Sequence, residues 1–179
     1  MSKLEILIPR YNEEFEVVKP LLDSLAIQQS VDFKDLSVTI GNDGPDLWLD
    51  IPKENYPFEI GQFSLKEHQG VSGVRNELLK QSDAEYVMFC DADDMFYNAC
   101  GLYIVFNEIN TPEGFDLLIS TFTEEVRNRE TNQVIYVNHN MDSTFVHGKV
   151  YRRQYLIDNN IEWNKNLTIH EDSFFNIQC

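Results

Sequence analysis

Three carboxylates stand within four residues at the end of an apolar run. Asp91, Asp93 and Asp94 directly follow residues 86–90, which are all apolar or aromatic. Such a run is typical of a strand buried on both faces, and charges at its end are costly unless water, cations or donors surround them. Carboxylates at this density suit Mg²⁺ or Mn²⁺, held together with phosphate oxygens. The stretch indicates a metal–phosphate site, with a solvated acidic turn as the alternative.

Residue spacing argues against several other sites. An EF-hand loop that begins at Asp91 would need glycine and glutamate where Phe96 and Leu102 stand. A phosphate-binding P-loop ending at Gly148 would need a glycine where Ser143 stands, and no G-x-G-x-x-G pattern follows a predicted strand. The four histidines lack the close spacing of a zinc site.

The elements that must position the acids alternate between strand and helix. Apolar runs and helical periodicity, interrupted by turn residues, set their approximate limits. The predicted strands cover residues 4–8 (ended by Pro9), 36–40, 58–65, 86–90, 116–127, 133–137 and 148–151, and the predicted helices cover residues 14–29, 70–80, 99–109, 154–159 and 171–179. The alternation predicts an α/β fold with a Rossmann-like, mostly parallel sheet flanked by helices, and a hairpin across residues 128–132 makes the sheet mixed.

Polar residues follow successive predicted strands. Tyr11 and Glu13 come after the first strand, Asp43 after the second and Asp91 after the central one, while Arg75 lies on the helix between them. The carboxyl ends of parallel strands share one edge of a sheet, where ligands of open α/β folds bind. Each residue alone has an ordinary structural explanation, but together they predict one site.

The composition limits the partners. Fourteen basic against thirty acidic residues give a net charge of −16, which repels nucleic acid and anionic membranes. No apolar run approaches the roughly 20 residues of a membrane span. Three cysteines without a C-x-x-C pair indicate a reducing, cytoplasmic environment. We expect one domain over residues 1–179, cut short at its C-terminus, where missing parts could attach it to the membrane periphery.

Five short motifs in order resemble those of family 2 glycosyltransferases. The resemblance extends from residue 4 to residue 175, and residues 148–161 also look like bacterial members that build surface polysaccharides. The motifs are Ile8-Pro9-Arg10-Tyr11-Asn12-Glu13, Gly41-Asn42-Asp43-Gly44, Gly70-Val71-Ser72-Gly73-Val74-Arg75-Asn76, Cys90-Asp91-Ala92-Asp93-Asp94 and His170-Glu171-Asp172-Ser173-Phe174-Phe175.

This resemblance implies a GT-A fold and a role for each matching residue. Asp172 would be the general base, Glu171 would position the acceptor, and Asp93, with Asp91 beside it, would bind Mn²⁺ or Mg²⁺. The implied donor-binding residues are Pro9, Tyr11, Glu13, Asp43, Arg75, Asp91 and Ala92. Arg10 stands where a small residue is commoner, and it would add a phosphate contact or alter the rim of the pocket.

The resemblance implies a metal-dependent, inverting transferase that moves a sugar from a nucleotide-diphosphate donor to a saccharide or other hydroxyl acceptor. A UDP-sugar is the expected donor. Polysaccharide or glycoconjugate synthesis is the expected context. Two alternatives remain open at this point. One is a nucleotide-sugar-binding or interaction module of the same fold without turnover. The other is a nucleotidyltransferase, which would usually need a Gly-rich basic loop, and residues 10–13 contain no glycine.

Overall fold

The fold is built on a mixed β-sheet with helices on both faces. We describe it from a computed structural model of the chain, in which residues 2–179 are placed. The strands are β1 (Leu4–Arg10), β2 (Leu36–Asn42), β3 (Glu59–Ser64), β4 (Tyr86–Phe89), β5 (Leu117–Ile119), β6 (Phe122–Arg127), β7 (Val134–His139) and β8 (Lys149–Arg152). The α-helices are α1 (Phe15–Ala26), α2 (Gly70–Gln81), α3 (Gly101–Ile109), α4 (Arg153–Asp158) and α5 (Glu171–Asn176), and short 3₁₀ turns cover Phe33–Asp35 and Lys53–Asn55.

The main sheet has the strand order β3-β2-β1-β4-β8-β5. β3, β2, β1 and β4 are parallel, whereas β8 is antiparallel to both β4 and β5. The hairpin β6–β7 forms a separate two-stranded sheet. The predicted mostly parallel, mixed sheet is therefore confirmed, but the reason given for its mixed character was wrong: β8 supplies the antiparallel pairing, and the hairpin lies outside the main sheet. The carboxyl ends of β1, β2 and β4 lie along one edge.

Alternate residues of β1 divide the core into two layers. Leu4, Ile6 and Ile8 belong to the cluster that contains the buried apolar residues of α1 and α3. Leu7 belongs to the opposite cluster, which contains residues of α2 and the buried Phe175 of α5. Because side chains alternate across a strand, one apolar run supplies both layers and fixes the central position of β1.

Two strands run further toward the site than predicted. β1 continues through Pro9 to Arg10. The carbonyl of Leu7 accepts a hydrogen bond from the backbone N–H of Cys90, so the backbone groups of Leu7 face β4. Every second residue of a strand faces the same neighbour, so the backbone nitrogen of Pro9 also faces β4. Leu7 is the last residue of β1 that pairs with β4, so the N–H that Pro9 lacks is not needed for that pairing. β2 continues through Gly41, where a Cβ would meet Val74 at 2.7 Å. That glycine allows close packing of α2 on the strand, although the sequence suggested a turn.

The predicted strand over residues 116–127 is two strands in different sheets. Its first part, β5, pairs with β8, and its second part, β6, turns away to pair with β7. The hairpin across residues 128–132 is confirmed. Among residues 2–179, the three cysteines are free, and no helix is both long enough and apolar enough to cross a membrane.

Candidate active site

A cleft of about 380 Å³ lies at the carboxyl edge of the parallel strands. Its walls come from the ends of β1, β2 and β4, from the start of α2 and from the first residue of α5. The lining residues are Pro9, Arg10, Tyr11, Glu13, Asp43, His68, Val71, Val74, Arg75, Asp91, Ala92, Asp93 and Glu171. Every site residue predicted from the sequence lines this cleft except Asp172, which contacts one of the lining residues.

Arg10 turns inward at the end of β1. Its guanidinium donates to Oδ1 of Asn42 at 2.7 Å, to the carbonyl of Leu47 at 2.6 Å and to the carbonyl of Glu13 at 2.5 Å. Burial lowers the pKa of Arg10. Asn42, fully buried, also donates its amide to the carbonyl of Phe63, which a carboxylate in its place could not do. Arg10 thus orders the segment that presents Tyr11 and Glu13.

One end of the cleft combines an aromatic ring with a buried acid. The rings of Tyr11 and His68 lie 4.6 Å apart. The carboxylate of Asp43 accepts from the backbone of Gln69 at 2.6 Å, and its other oxygen lies 2.8 Å from Nδ1 of His68. Tyr11 in turn donates its backbone N–H to the carboxylate of Glu13 at 2.8 Å. This end can stack on a flat ring and accept hydrogen bonds from its edge.

Arg75 joins two acids that lie far apart in the sequence. Its Nη2 donates to Oδ1 of Asp91 at 2.7 Å, and its Nη1 donates to Oδ1 of Asp172 at 2.8 Å. Its guanidinium carbon also lies 4.4 Å from the ring centroid of Trp163. Burial alone would lower the pKa of Arg75, but the two carboxylates outweigh it and leave that pKa raised. The side chain therefore stays charged inside the wall of the cleft.

The loop before β8 contacts both Asp172 and Asp94. The backbone N–H of Val146 donates to Oδ2 of Asp172 at 3.0 Å, and Nδ1 of His147 lies 3.1 Å from Oδ2 of Asp94. The loop is ordered by Asp142, whose carboxylate accepts from two of its backbone N–H groups. Two neighbouring residues of this loop therefore contact Asp172, the predicted general base, and Asp94, the last of the three acids that follow β4.

Asp91, Asp94 and His147 could hold a metal ion. Each offers one ligand atom, and these three atoms lie within 4.8 Å of one another at partly buried positions. Two carboxylates and an imidazole form a donor set that first-row divalent ions such as Mn²⁺ accept more readily than Mg²⁺. Asp93, predicted as the leading ligand, lines the same cleft but does not belong to this group.

Sequence reasoning assigned no role to two of the four histidines, His68 and His147. His68 lies beside Asp43, and His147 lies beside Asp94, 53 positions away in the sequence. Both occupy loops without a periodic pattern, and their partners are set by chain crossings that spacing does not reveal. The only available signal for His147 was its place directly before the predicted strand that begins at residue 148.

Comparison with known proteins gives a consistent assignment. The model of the family "Glycosyl transferase family 2" matches residues 5–159. A teichoic acid poly(glycerol phosphate) polymerase of Staphylococcus epidermidis is 27% identical over 98% of this chain and 25% of its own length. The poly(ribitol-phosphate) β-N-acetylglucosaminyltransferase TarS of Staphylococcus aureus is 27% identical over 100% of this chain and 32% of its own length.

Solved structures agree with the fold. S. aureus TarS 1-349 in complex with UDP-GlcNAc superposes with a TM-score of 0.73 at 24% identity, covering 99% of this chain and 53% of that one. A more distant mannosyltransferase from Pyrobaculum calidifontis, in complex with GDP-Man and Mn²⁺, gives a TM-score of 0.64 at 15% identity over 96% of this chain and 50% of that one. These similarities confirm the GT-A fold.

The chain spans about a quarter to a third of the length of these two staphylococcal relatives. The family model nevertheless covers most of the chain, and the matched part includes the ends of β1, β2 and β4 that form the cleft. The chain belongs to glycosyl transferase family 2.

Proposed function

We propose that this domain transfers a sugar from a nucleotide-diphosphate donor, a UDP-sugar, to a hydroxyl of an acceptor polymer. The observation that carries the proposal is the single cleft that gathers the predicted nucleotide, metal and acceptor residues. Asp172 is held against the wall of that cleft by Arg75. A chance grouping of surface acids would not place a buried cation between two of them.

The nucleotide would occupy the end of the cleft formed by Tyr11 and Asp43. Tyr11 would stack on the base, Asp43 would accept a hydrogen bond from the imide N–H of uracil, and Glu13 would approach the base edge or the ribose. Pro9 and Ala92 would contact the donor through the floor of the cleft, which both of them line. The UDP-GlcNAc complex of TarS supports the choice of a uridine nucleotide, because TarS shares this fold.

A divalent metal, Mn²⁺ or Mg²⁺, would be held by Asp91 and Asp94 with His147, and Asp93, which lines the same cleft, would be a further ligand. The donor set of the three grouped residues favours Mn²⁺. When bound, such an ion stabilises the negative charge that develops on the leaving diphosphate. The Mn²⁺ in the P. calidifontis mannosyltransferase supports this assignment at the level of the fold.

Asp172 would take the proton of the attacking hydroxyl. Its two oxygens are held by Arg75 and by the backbone of Val146, so the carboxylate is fixed before substrates arrive. A new C–O bond would form at the anomeric carbon as the bond to the diphosphate breaks, and the proton would pass to Asp172. A single displacement of this kind inverts the anomeric configuration. Glu171, on the cleft wall, would position the acceptor.

The acceptor is proposed from the relatives. The polymerase of S. epidermidis and the TarS transferase are both named for teichoic acid or poly(ribitol-phosphate) chemistry. We therefore propose a hydroxyl on a bacterial surface polymer, of the polyol-phosphate type, as the acceptor.

The test is release of UDP from UDP-GlcNAc and from other UDP-sugars, with and without a poly(ribitol-phosphate) acceptor. Acceptor-stimulated release that requires Mn²⁺ and disappears in Asp172→Asn supports a transferase. A nucleotide-sugar-binding module would instead bind the donor without releasing UDP under any of these conditions. The anomeric configuration of the product, read by NMR coupling constants, tests inversion separately.

A further inference from the structure

Arg75 is a fully charged side chain inside the protein. The residue is 2% exposed, and its guanidinium contacts Asp91, Asp172 and the face of Trp163. A buried charge is tolerated only when it is paired and hydrogen-bonded. The two carboxylates supply that pairing, so the position of each acid depends on the same guanidinium.

These two acids have separate tasks in the proposed reaction. Asp91 belongs to the group that could hold a metal ion, and Asp172 is the proposed base. We infer that Arg75 is a positioning residue shared between the metal site and the base, in place of the donor contact that the family resemblance implies. This inference rests on the proposed function, because it assigns Arg75 a part in that reaction.

The guanidinium of Arg75 and a metal ion would compete for the carboxylate of Asp91. Oδ1 of Asp91 already accepts from Arg75 at 2.7 Å, and a divalent ion at the same carboxylate would be repelled by the neighbouring positive charge. Asp91 holding a divalent ion would therefore pair less strongly with Arg75. The guanidinium would then hold mainly Asp172, so occupation of the metal site would be coupled to the placement of the base.

This coupling separates the positioning role from that of a donor ligand. Loss of Arg75 removes a positive charge 2.7 Å from Oδ1 of Asp91, so we expect it to tighten metal binding. If Arg75 only positions the acids, UDP affinity at saturating Mn²⁺ stays nearly unchanged. If Arg75 binds the diphosphate or the base of the donor, its loss also weakens UDP binding at saturating Mn²⁺, so the UDP affinity distinguishes the two roles.

The experiment titrates Mn²⁺ alone and then UDP at saturating Mn²⁺ into wild type, Arg75→Met and Arg75→Lys by calorimetry. We expect Arg75→Met to bind Mn²⁺ roughly three- to tenfold more tightly, with UDP affinity within about twofold of wild type. Its kcat for transfer should fall by about a hundredfold, since the base is no longer held in place. Arg75→Lys keeps the charge and should bind Mn²⁺ like wild type, with part of the kcat retained.

A second measurement tests the inference even if the Arg75→Met variant does not fold. Asp172→Asn leaves the guanidinium to pair with Asp91 alone and should weaken Mn²⁺ binding by roughly threefold or more. Glu171→Gln is the matched control, since it removes the same charge from the adjacent residue, and among residues 2–179 the hydrogen bonds and ion pairs of Arg75 go to Asp91 and Asp172 and not to Glu171. We expect a smaller change for that variant.

Two results would overturn the inference alone, provided that wild type binds Mn²⁺ and UDP. One is, in folded Arg75→Met, either unchanged or weaker Mn²⁺ binding or a tenfold loss of UDP affinity at saturating Mn²⁺. The other is an equal effect of Asp172→Asn and Glu171→Gln on Mn²⁺ binding. Wild-type protein that binds neither Mn²⁺ nor UDP would overturn the proposed function as well, which keeps the two failures distinguishable.

Discussion

The backbone N–H of Val146 donates to Oδ2 of Asp172 over 3.0 Å, from a loop 26 residues earlier in the chain. With Arg75 on the other oxygen, the carboxylate is held from two sides. A carboxylate can accept both bonds, but an amide of the same shape has only one oxygen and would turn its NH₂ toward one of the two donors. This makes position 172 sensitive to a change that hardly alters its volume.

Asp172→Asn should therefore abolish most of the transfer while the nucleotide still binds at saturating Mn²⁺. Loss of a general base typically lowers the rate about 10²–10⁴-fold. The measurement is acceptor-dependent UDP release, with UDP affinity measured in parallel. Asp158→Asn, an exposed acid on α4 that accepts from Gln154, is the control and should leave the rate unchanged. A rate for Asp172→Asn within threefold of wild type would contradict its role as the base.

Tyr11→Ala should weaken UDP binding. Stacking of a base on an aromatic ring contributes about 1–3 kcal/mol, which corresponds to roughly 5- to 150-fold in affinity. Tyr11→Phe keeps the ring and should bind UDP nearly as wild type does. Tyr97→Ala is the control, since Tyr97 is exposed and does not line the cleft. Equal UDP affinities for Tyr11→Ala and wild type would show that the base binds elsewhere.

The two tryptophans should differ sharply in their contribution to stability. Trp163 is 2% exposed, and its ring stacks on Phe175 at 4.2 Å, whereas Trp48 is 57% exposed. Truncation of a buried aromatic to alanine costs about 3–5 kcal/mol, so Trp163→Ala should lower the free energy of unfolding by that amount. Urea denaturation measures the change. Trp48→Ala should stay within about 0.5 kcal/mol of wild type, and similar losses in both variants would contradict the described packing.

The pair of His147 and Asp94 should make the metal-free protein less stable as the pH rises. The hydrogen bond to Asp94 raises the pKa of His147 above its ordinary value, an effect that burial partly offsets. A raised pKa in the folded state stabilises the fold below the unfolded-state pKa, and that stabilisation is lost as the pH rises through the folded-state pKa. The loss should be about 1 kcal/mol or less, as for partly exposed charged pairs.

Urea midpoints in the presence of a chelator, measured from pH 5 to pH 9, test this dependence. His147→Gln should remove that part of the pH dependence, whereas His170→Gln, at an exposed position outside the cleft, should retain it. Identical pH profiles for His147→Gln and wild type would show that the pair with Asp94 does not contribute.

The sequence predicted those parts of the fold that depend on local patterns. The apolar residues of β1 and β4 predicted central buried strands, and the polar residues after them predicted a shared edge. Errors occurred where tertiary contacts override local signals. Pro9 was expected to end β1, but it lies beyond the pairing with β4, and Gly41 resembled a turn residue but serves close packing against Val74.

The sequence predicted which residues form the site better than it predicted the contacts between them. The residues of the cleft were predicted because they follow successive strands, whereas their partners were not. Arg75 reaches Asp172 across 97 positions, and His147 reaches Asp94 across 53. No periodicity or spacing rule connects residues on separate loops, and only the packing of α2, α5 and the loop before β8 brings them together.

The central claim is that the cleft binds a nucleotide diphosphate through a divalent metal. Calorimetric titration of UDP, GDP, CDP and TDP, each with and without Mn²⁺, tests it most directly. We predict selective binding of UDP that requires Mn²⁺ and is lost in Asp91→Ala, because Asp91 belongs to the proposed metal group. Absence of binding for all four nucleotides in well-folded wild-type protein, or UDP binding that Mn²⁺ does not affect, would contradict it.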